Sequence, residues 1–372
     1  MKRKSILGLV AFAALSYNTI TYAEDQAFSP LIVNGSDAAI TAYPSYARLV
    51  AWVDYNNGSY LYSRYCGAII LDNYHVLTAA HCVYISSNSN ERNGLFTYVY
   101  PQLLDESLSN LTNSSTPKVR VSEVFYPDGY NDTTLLNDVA VLKLESPLTN
   151  FSLTGSYTAT LPATGDDATT SGGYRESGHN NNFTAVGHGN TSSGVDNTTS
   201  LQFATLTYVP NSSCNYTNQT AQNLCMAGDI SFSVSAGENL EASVCQGDSG
   251  GPLYWVDGGT QKVVGVASFA PATKCGEPDP GYGSTSVFSE VIDFKTWINN
   301  ATSGALTAKY TYTEAEREAF RQGEYSYKYS TPATPTPAPD DNSTASSGGG
   351  GSIPLWTLFS LTGLALLRRK NK

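Results

Sequence analysis

Charge is scarce in this chain. Only 14% of its 372 residues are Asp, Glu, Lys or Arg, and 21 cations face 32 acids, for a net charge of −11. So small a cationic complement excludes nucleic acid as a partner, because phosphate binding needs clustered Lys and Arg. Histidine is rare as well, with four residues, and no Cys-x-x-Cys pair occurs, which argues against a zinc cluster; neither a metal nor a cofactor is expected. Helical periodicity is sparse until the segment VIDFKTWINN (291–300). In place of charge the chain has Asn, Ser, Thr, Gly and Tyr, a surface solubilised by amides and hydroxyls.

Both ends read as addresses. Lys2, Arg3 and Lys4 precede the apolar run Ile6–Leu15, and the stretch closes on Thr21-Tyr22-Ala23. That is the layout of a secretory signal peptide cleaved after Ala23. At the other end, residues 331–347 are Pro/Thr/Ser-rich and unable to bury enough apolar surface to fold. GGGGS (348–352) follows, then an apolar run from Ile353 to Leu367, and then Arg368, Arg369, Lys370 and Lys372. The run falls short of the roughly 20 residues that span a bilayer comfortably. The order of glycines, apolar run and basic end resembles the GlyGly-CTERM sorting signal of Gram-negative bacteria. That resemblance implies envelope sorting and processing machinery as a partner, transient membrane anchoring, and delivery to the cell surface or the medium. A plain C-terminal anchor is the simpler alternative; a glycosylphosphatidylinositol signal fits less well, because such signals end apolar. Removing both addresses takes seven cations and no acid, so the remainder carries −18.

Six cysteines, Cys66, Cys82, Cys214, Cys225, Cys245 and Cys275, form an even set in an exported chain, and three disulfides are the economical reading. From about Ile32 to Ile298 the chain consists of short β-type runs divided by Asn, Gly, Asp and Pro. Examples are YARLVAWV (46–53), CGAIIL (66–71), VAVLKL (139–144) and KVVGVASF (262–269). Strands without intervening helices predict antiparallel sheets, closed as a sandwich or barrel. In 291–300, Val291, Phe294, Trp297 and Ile298 fall on one helical stripe. Residues 302–330 show no core of their own, although EAEREAFRQ has the composition of a short helix.

Three segments carry acyl-transfer chemistry. LTAAHC (77–82) ends an apolar strand on His81, NDVAVLKL (137–144) sets Asp138 before a buried strand, and GDSGGP (247–252) holds Ser249 in a Gly-rich turn. A serine hydroxyl needs a base to become a nucleophile, and the base needs a carboxylate to fix its tautomer. The glycines permit a turn in which two N–H groups converge on one oxyanion. Each string alone has a plain reading: a core histidine, a turn aspartate, a flexible loop. Their joint order and flanks over about 170 residues are what defeat those readings.

The chain resembles a trypsin/chymotrypsin-type serine protease from Ile32 to about Ile298. The resemblance implies two antiparallel Greek-key β-barrels with a short C-terminal helix, a catalytic set of His81 as base, Asp138 as orienting carboxylate and Ser249 as nucleophile, and an oxyanion hole from Gly247 and Ser249. It implies the pairs Cys66–Cys82, Cys214–Cys225 and Cys245–Cys275. It also implies a zymogen: cleavage between Leu31 and Ile32 frees an amine that pairs with Asp248. Leu31 stands where animal zymogens carry Arg or Lys, so an activator preferring apolar residues is expected, the enzyme itself included. His188 stands where a tryptophan is common and is taken as structural. The specificity pocket would be lined by Ser243, Val244, Ser268, Ala270 and Gly281. Ser243 at its base offers no charge to a cationic side chain, which points to apolar or aromatic substrates; Glu238 and Glu241, just upstream, are the carboxylates near enough to challenge this.

The expected organisation is therefore a signal peptide (1–23), a short propeptide (24–31), a protease domain (32–300), a linker (301–347) and a sorting segment (348–372). Protein or peptide substrates and a monomeric state are expected. The rival from another class is an inactive protease-like adhesin or binding protein on the same scaffold.

Overall fold

The Val-, Tyr- and Thr-rich runs of the sequence pair as antiparallel strands and close on themselves twice. This computed structural model describes residues 32–328, except 56–59, 171, 177–182, 196–197, 217–219, 235, 271–273 and 279–280. The signal peptide, propeptide and sorting segment read from the sequence lie outside the described residues, as does the Pro/Thr/Ser-rich stretch. Among the described residues no helix is long and apolar enough to cross a membrane.

A two-residue strand, β1 (Ser36–Asp37), precedes β2 (Tyr46–Asp54), β3 (Tyr60–Ile70), β4 (His75–Thr78), β5 (Thr97–Pro101), β6 (Val119–Phe125) and β7 (Ala140–Leu144). Strands β2 to β7 form the N-terminal barrel in the order β5-β2-β3-β4-β7-β6, closed because β6 pairs with both β7 and β5. The C-terminal barrel follows: β8 (Phe183–Gly187), β9 (Gln202–Val209) and β10 (Asn223–Gly228), then a separate hairpin of β11 (Ile230–Ser233) and β12 (Glu238–Glu241), then β13 (Pro252–Asp257), β14 (Thr260–Phe269) and β15 (Ser286–Glu290). Its order is β9-β10-β15-β14-β13-β8, and β8 returns to β9. Closure leaves neither barrel an open edge inside the ring. The expected fold, two antiparallel barrels and a short C-terminal helix, is the one found, and each barrel has six strands.

Each barrel has its own apolar filling, with Leu49, Ala68, Val99, Val121 and Leu142 in the first and Phe183, Leu206, Leu224, Leu253 and Phe288 in the second. A third cluster lies along the seam, where Leu77 and Val141 of the first barrel meet Val186 and Val266 of the second. Among the described residues four α-helices decorate the barrels: α1 (Asn88–Leu95), α2 (Leu108–Thr112), α3 (Val291–Thr302) and α4 (Glu314–Gln322). The stripe read from the sequence places Val291, Phe294 and Ile298 of α3 in the seam cluster, with Trp297 partly buried beside them.

Residues 302–328, assigned to the start of a linker on sequence grounds, are instead folded onto the N-terminal barrel. Strand β16 (Tyr310–Thr311) adds to the outside of β6. Helix α4 follows, opened by a capping box between Thr313 and Glu316 and closed by Gly323 at φ 77°. Its Arg317, with no exposed surface, donates to the carbonyls of Leu95 and Val121 and to the carboxylates of Glu145 and Glu314. Phe320 packs edge-on against Phe96, and buried Glu91 accepts from the Tyr325 hydroxyl and the Lys328 N–H. The sequence hid this because a strand of two residues and a mostly charged helix have little hydrophobic pattern of their own; both depend on partners far away in the chain. Replacing Arg317 by Met strands two buried carbonyls and a carboxylate, and should destabilise the protein by about 3 kcal/mol in urea unfolding.

Candidate active site

Register brings the first two candidate residues together. Thr78 of β4 pairs with Ala140 of β7, so His81, three residues beyond one, and Asp138, two residues before the other, leave the barrel at the same end. Asp138 is completely buried. One carboxylate oxygen accepts the backbone N–H of His81 at 2.8 Å, and the other lies 2.7 Å from His81 Nδ1. That second oxygen also receives the Ser268 hydroxyl at 2.5 Å, across the seam between the barrels. Ser268 reaches it because β14 bulges there: Ala267 and Phe269 face consecutive residues of β15, leaving Ser268 as the extra one. From β15, Ser289 donates to the Asp138 carbonyl at 3.0 Å, a contact no sequence string announced.

Burial disfavours a charged His81 ring, but the Asp138 carboxylate, through its charge and hydrogen bond, outweighs that and holds the imidazole above its usual 6.5. With Nδ1–H directed at Asp138, the Nε2 lone pair of the neutral ring is free to accept a proton. In Asp138→Asn the carboxylate charge is gone while burial stays, so the His81 titration followed by NMR should move downward, below 6.5.

Ser249 sits half-buried in a turn anchored to both barrels. Its carbonyl accepts the Gly67 N–H from β3 at 2.8 Å, and the Gly250 N–H donates to Ala267 of β14 at 2.7 Å. Gly250 has φ 78°, and a Cβ there would meet Thr78 Oγ1 at 2.1 Å and the Ala79 nitrogen at 3.1 Å. The serine turn is thus pressed against the strand end that leads to His81. Gly247 adopts φ 102°, open to glycine and little else. Among the described residues, backbone carbonyls take up the N–H groups of Asp248, Gly250 and Gly251, but not those of Gly247 and Ser249. Two donors are therefore left for a ligand beside the serine hydroxyl.

Asp248 is buried behind this turn and accepts N–H bonds from Gly189 at 2.7 Å and Cys245 at 2.9 Å. The glycines of GHG (187–189) make room for it, since a Cβ on Gly187 or Gly189 would lie within 2.4 Å of the carboxylate. Burial pushes the Asp248 carboxyl up to about 7 despite those two donors. Ile32 is completely buried, in one cluster with Ala185, Ala242 and Val244, and Val33 bridges to Ser243. The Asn34 amide ties this entry segment to Ser231 and Leu240 of the β11–β12 hairpin. His188 is buried with its Nδ1 2.9 Å from the Tyr46 hydroxyl; burial and then the Arg48 charge hold its pKa well below 6.5, so it is a neutral packing residue.

The pocket residues divide. Ser243, Val244 and Ser268 are each buried, and Ala270 directly follows β14, half-buried. Gly281 is not among them: it is exposed, and nothing lies within 4 Å of the position its Cβ would take. Ser286, at the start of β15, occupies that side instead, with its hydroxyl accepting the Val244 N–H at 3.1 Å. The strand SVFSE (286–290), which sets the register on this side, is the landmark that places Ser286 rather than Gly281 here. The Ser243 hydroxyl is buried with no partner among the described residues. Exposed Glu238 pairs with Lys274, while buried Glu241 accepts from the Gly228 N–H and the Thr285 hydroxyl, next to Ser286.

The three disulfides are Cys66–Cys82, Cys214–Cys225 and Cys245–Cys275. The first ties β3 to the His81 loop, and the last joins the serine turn to the loop beyond Ala270. Cys66, His81 and Cys82 come close enough to resemble a metal-ligand set, but both sulfurs are bonded to each other and not available as thiolates.

Sequence comparison places the chain among known proteins. The trypsin family model covers residues 32–298. Curated relatives include trypsin alpha-4 of Lucilia cuprina, 30% identical over 65% of this chain and 79% of its own length. Trypsin-1 of Astacus astacus is 30% identical over 72% of this chain and 98% of its own length, and trypsin beta of Drosophila erecta is 30% identical over 73% and 88%. The chain belongs to the trypsin family of serine proteases.

Proposed function

We propose that this protein is an exported serine endopeptidase that cleaves peptide bonds through Ser249, His81 and Asp138. The observation that carries the reading is the fully buried Asp138, bound at once to the His81 ring and to Ser268 across the seam. In the reaction, His81 Nε2 takes the Ser249 hydroxyl proton while Oγ attacks the scissile carbonyl. The N–H groups of Gly247 and Ser249 receive the oxyanion. His81 then gives its proton to the leaving amine, and water, activated by the same ring, hydrolyses the acyl-enzyme. An inactive adhesin fits less well, since all three residues are present and His81 and Asp138 are already hydrogen-bonded to each other. Ser249→Ala should lower kcat at least about 10⁴-fold and abolish labelling by fluorophosphonates; a fully active variant would refute the assignment.

Activation by cleavage before Ile32 completes the proposal. In the uncleaved chain the Ile32 nitrogen is a peptide N–H, and Asp248 has no ammonium to offset its burial. An acid raised from 3.8 to about 7 by folding binds its proton more tightly folded than unfolded, so the uncleaved chain loses stability as pH rises through that window. An Ile32 ammonium supplies the missing charge. The mature form should therefore melt higher than the precursor by several degrees at pH 7.5 and by much less at pH 5.

For specificity, Ser243, Ser286 and Val244 give a floor with two hydroxyls and no carboxylate, which favours Tyr, Phe or Leu before the cut. A second reading, cleavage after Arg or Lys, has two observations behind it: the relatives are trypsins, and buried Glu241 is held by Thr285, the neighbour of Ser286. Peptide libraries varied at that position separate the two. A preference for Arg and Lys that Glu241→Gln removes would assign the floor to Glu241. The sequence signals at both ends support secretion through a Gram-negative envelope, with the C-terminal segment processed on the way.

A further inference from the structure

One buried cation is not used by the chemistry above. Arg48 lies in β2 of the N-terminal barrel with 2% of its side chain exposed. Its Nε donates to Glu106 at 2.7 Å, and Glu106, 1% exposed, also accepts from Arg64 at 3.1 Å. The other end of the guanidinium leaves its own barrel. Nη1 donates to the carbonyl of Gly247 at 2.5 Å, and Nη2 lies 3.4 Å from the carbonyl of His188. A buried arginine is costly unless all its donors are satisfied. Here the fork spans from a carboxylate on its own barrel to the backbone of the turn that carries Ser249. Gly247 is the residue of that turn at φ 102°, packed closely enough that a Cβ would stand 3.0 Å from the Gly189 backbone. It is held from the carbonyl side by a charge, while its N–H remains open.

We infer that Arg48, fixed by Glu106, is a positioning residue for acyl transfer: it clamps the Gly247 carbonyl and so holds the turn that presents the Gly247 and Ser249 N–H groups, without needing the Ile32 ammonium. The inference rests on the reading of those two N–H groups as oxyanion donors. Both supports reach the turn from different sides, Asp248 from behind and Arg48 from the other barrel. The clamp is already made in the uncleaved chain. A precursor built this way keeps a partly competent serine, which would let it cut other copies of itself at Leu31.

Two variants of the full chain test this. Arg48→Lys keeps a cation for Glu106 but lacks the fork that reaches both partners. The double variant Arg48→Gln/Glu106→Gln removes the charges together, leaving neither buried and unpaired. In mature Arg48→Lys, kcat should fall about 10- to 100-fold with KM within about threefold, because the donors are misplaced only where negative charge develops. Fluorophosphonate labelling of the wild-type uncleaved chain, with its N-terminus checked by sequencing, should be measurable. It should fall by a larger factor in the variants than labelling of the mature enzyme does, since the amine supports only the latter. Folded variants whose kcat and labelling stay within twofold of wild type overturn the role, as does a loss confined to KM. A wild-type uncleaved chain that takes no label overturns the claim that the clamp works without the amine. Should the double variant fail to fold, Arg48→Lys carries the test alone. Failure of the mature wild type to label would instead refute Ser249 as the nucleophile.

Discussion

Everything at the seam depends on one carboxylate that has no contact with water. Asp138 comes from the N-terminal barrel, yet its second oxygen is shared between the His81 ring and a hydroxyl from the C-terminal barrel. A charge so placed is tolerable only while every one of these donors is in position. If the two barrels separated, Ser268 and Ser289 would leave and the carboxylate would be buried with fewer donors. The imidazole would then lose the anion that sets its tautomer. Barrel packing and histidine chemistry are for this reason a single constraint: the apolar seam of Leu77, Val141, Val186 and Val266 holds together what the hydrogen bonds orient.

The serine turn is organised on the same principle, with backbone in place of side chains. Gly67 of the first barrel and Ala267 of the second hydrogen-bond Ser249, Gly250 and Gly251, Thr78 lies against Gly250, and the glycines allow the close approach. Among the described residues, the Gly247 and Ser249 N–H groups find no backbone carbonyl, and the buried Ser243 hydroxyl and His188 Nε2 nearby have no partner. Unsatisfied groups are expensive inside a protein, and on the proposed reading those beside Ser249 are the ones a substrate would satisfy.

Legibility in the sequence followed the distance over which each feature is encoded. His81, Asp138 and Ser249 were readable because each lies in a short string whose neighbours already imply its local geometry: an apolar strand before His81, another after Asp138, glycines around Ser249. The helix stripe of Val291, Phe294 and Ile298 was readable from periodicity alone. Ser286 was missed because nothing in its own string marks it as a pocket residue; only the fold sets its hydroxyl against the Val244 N–H. Arg48, Glu106 and Arg317 were invisible for a deeper reason. In one dimension a buried arginine looks like a solvated one, and only the fold brings Gly247 or Leu95 to its donors. Residues 302–328 likewise have no apolar pattern strong enough to announce a fold of their own.

The two ends of the described chain are exchanged. Strand β1, near the start, is paired with the C-terminal barrel, and β16, near the finish, with the N-terminal one. Each half is thus latched by a strand covalently belonging to the other. This decides how the molecule carries mechanical load. A pull on the residues beyond Lys328 enters through α4 and β16, at the outside of β6, and runs into the N-terminal barrel. The segment from α3 back to the serine turn is bypassed. A load taken up at that end leaves the turn that carries Ser249 unstrained.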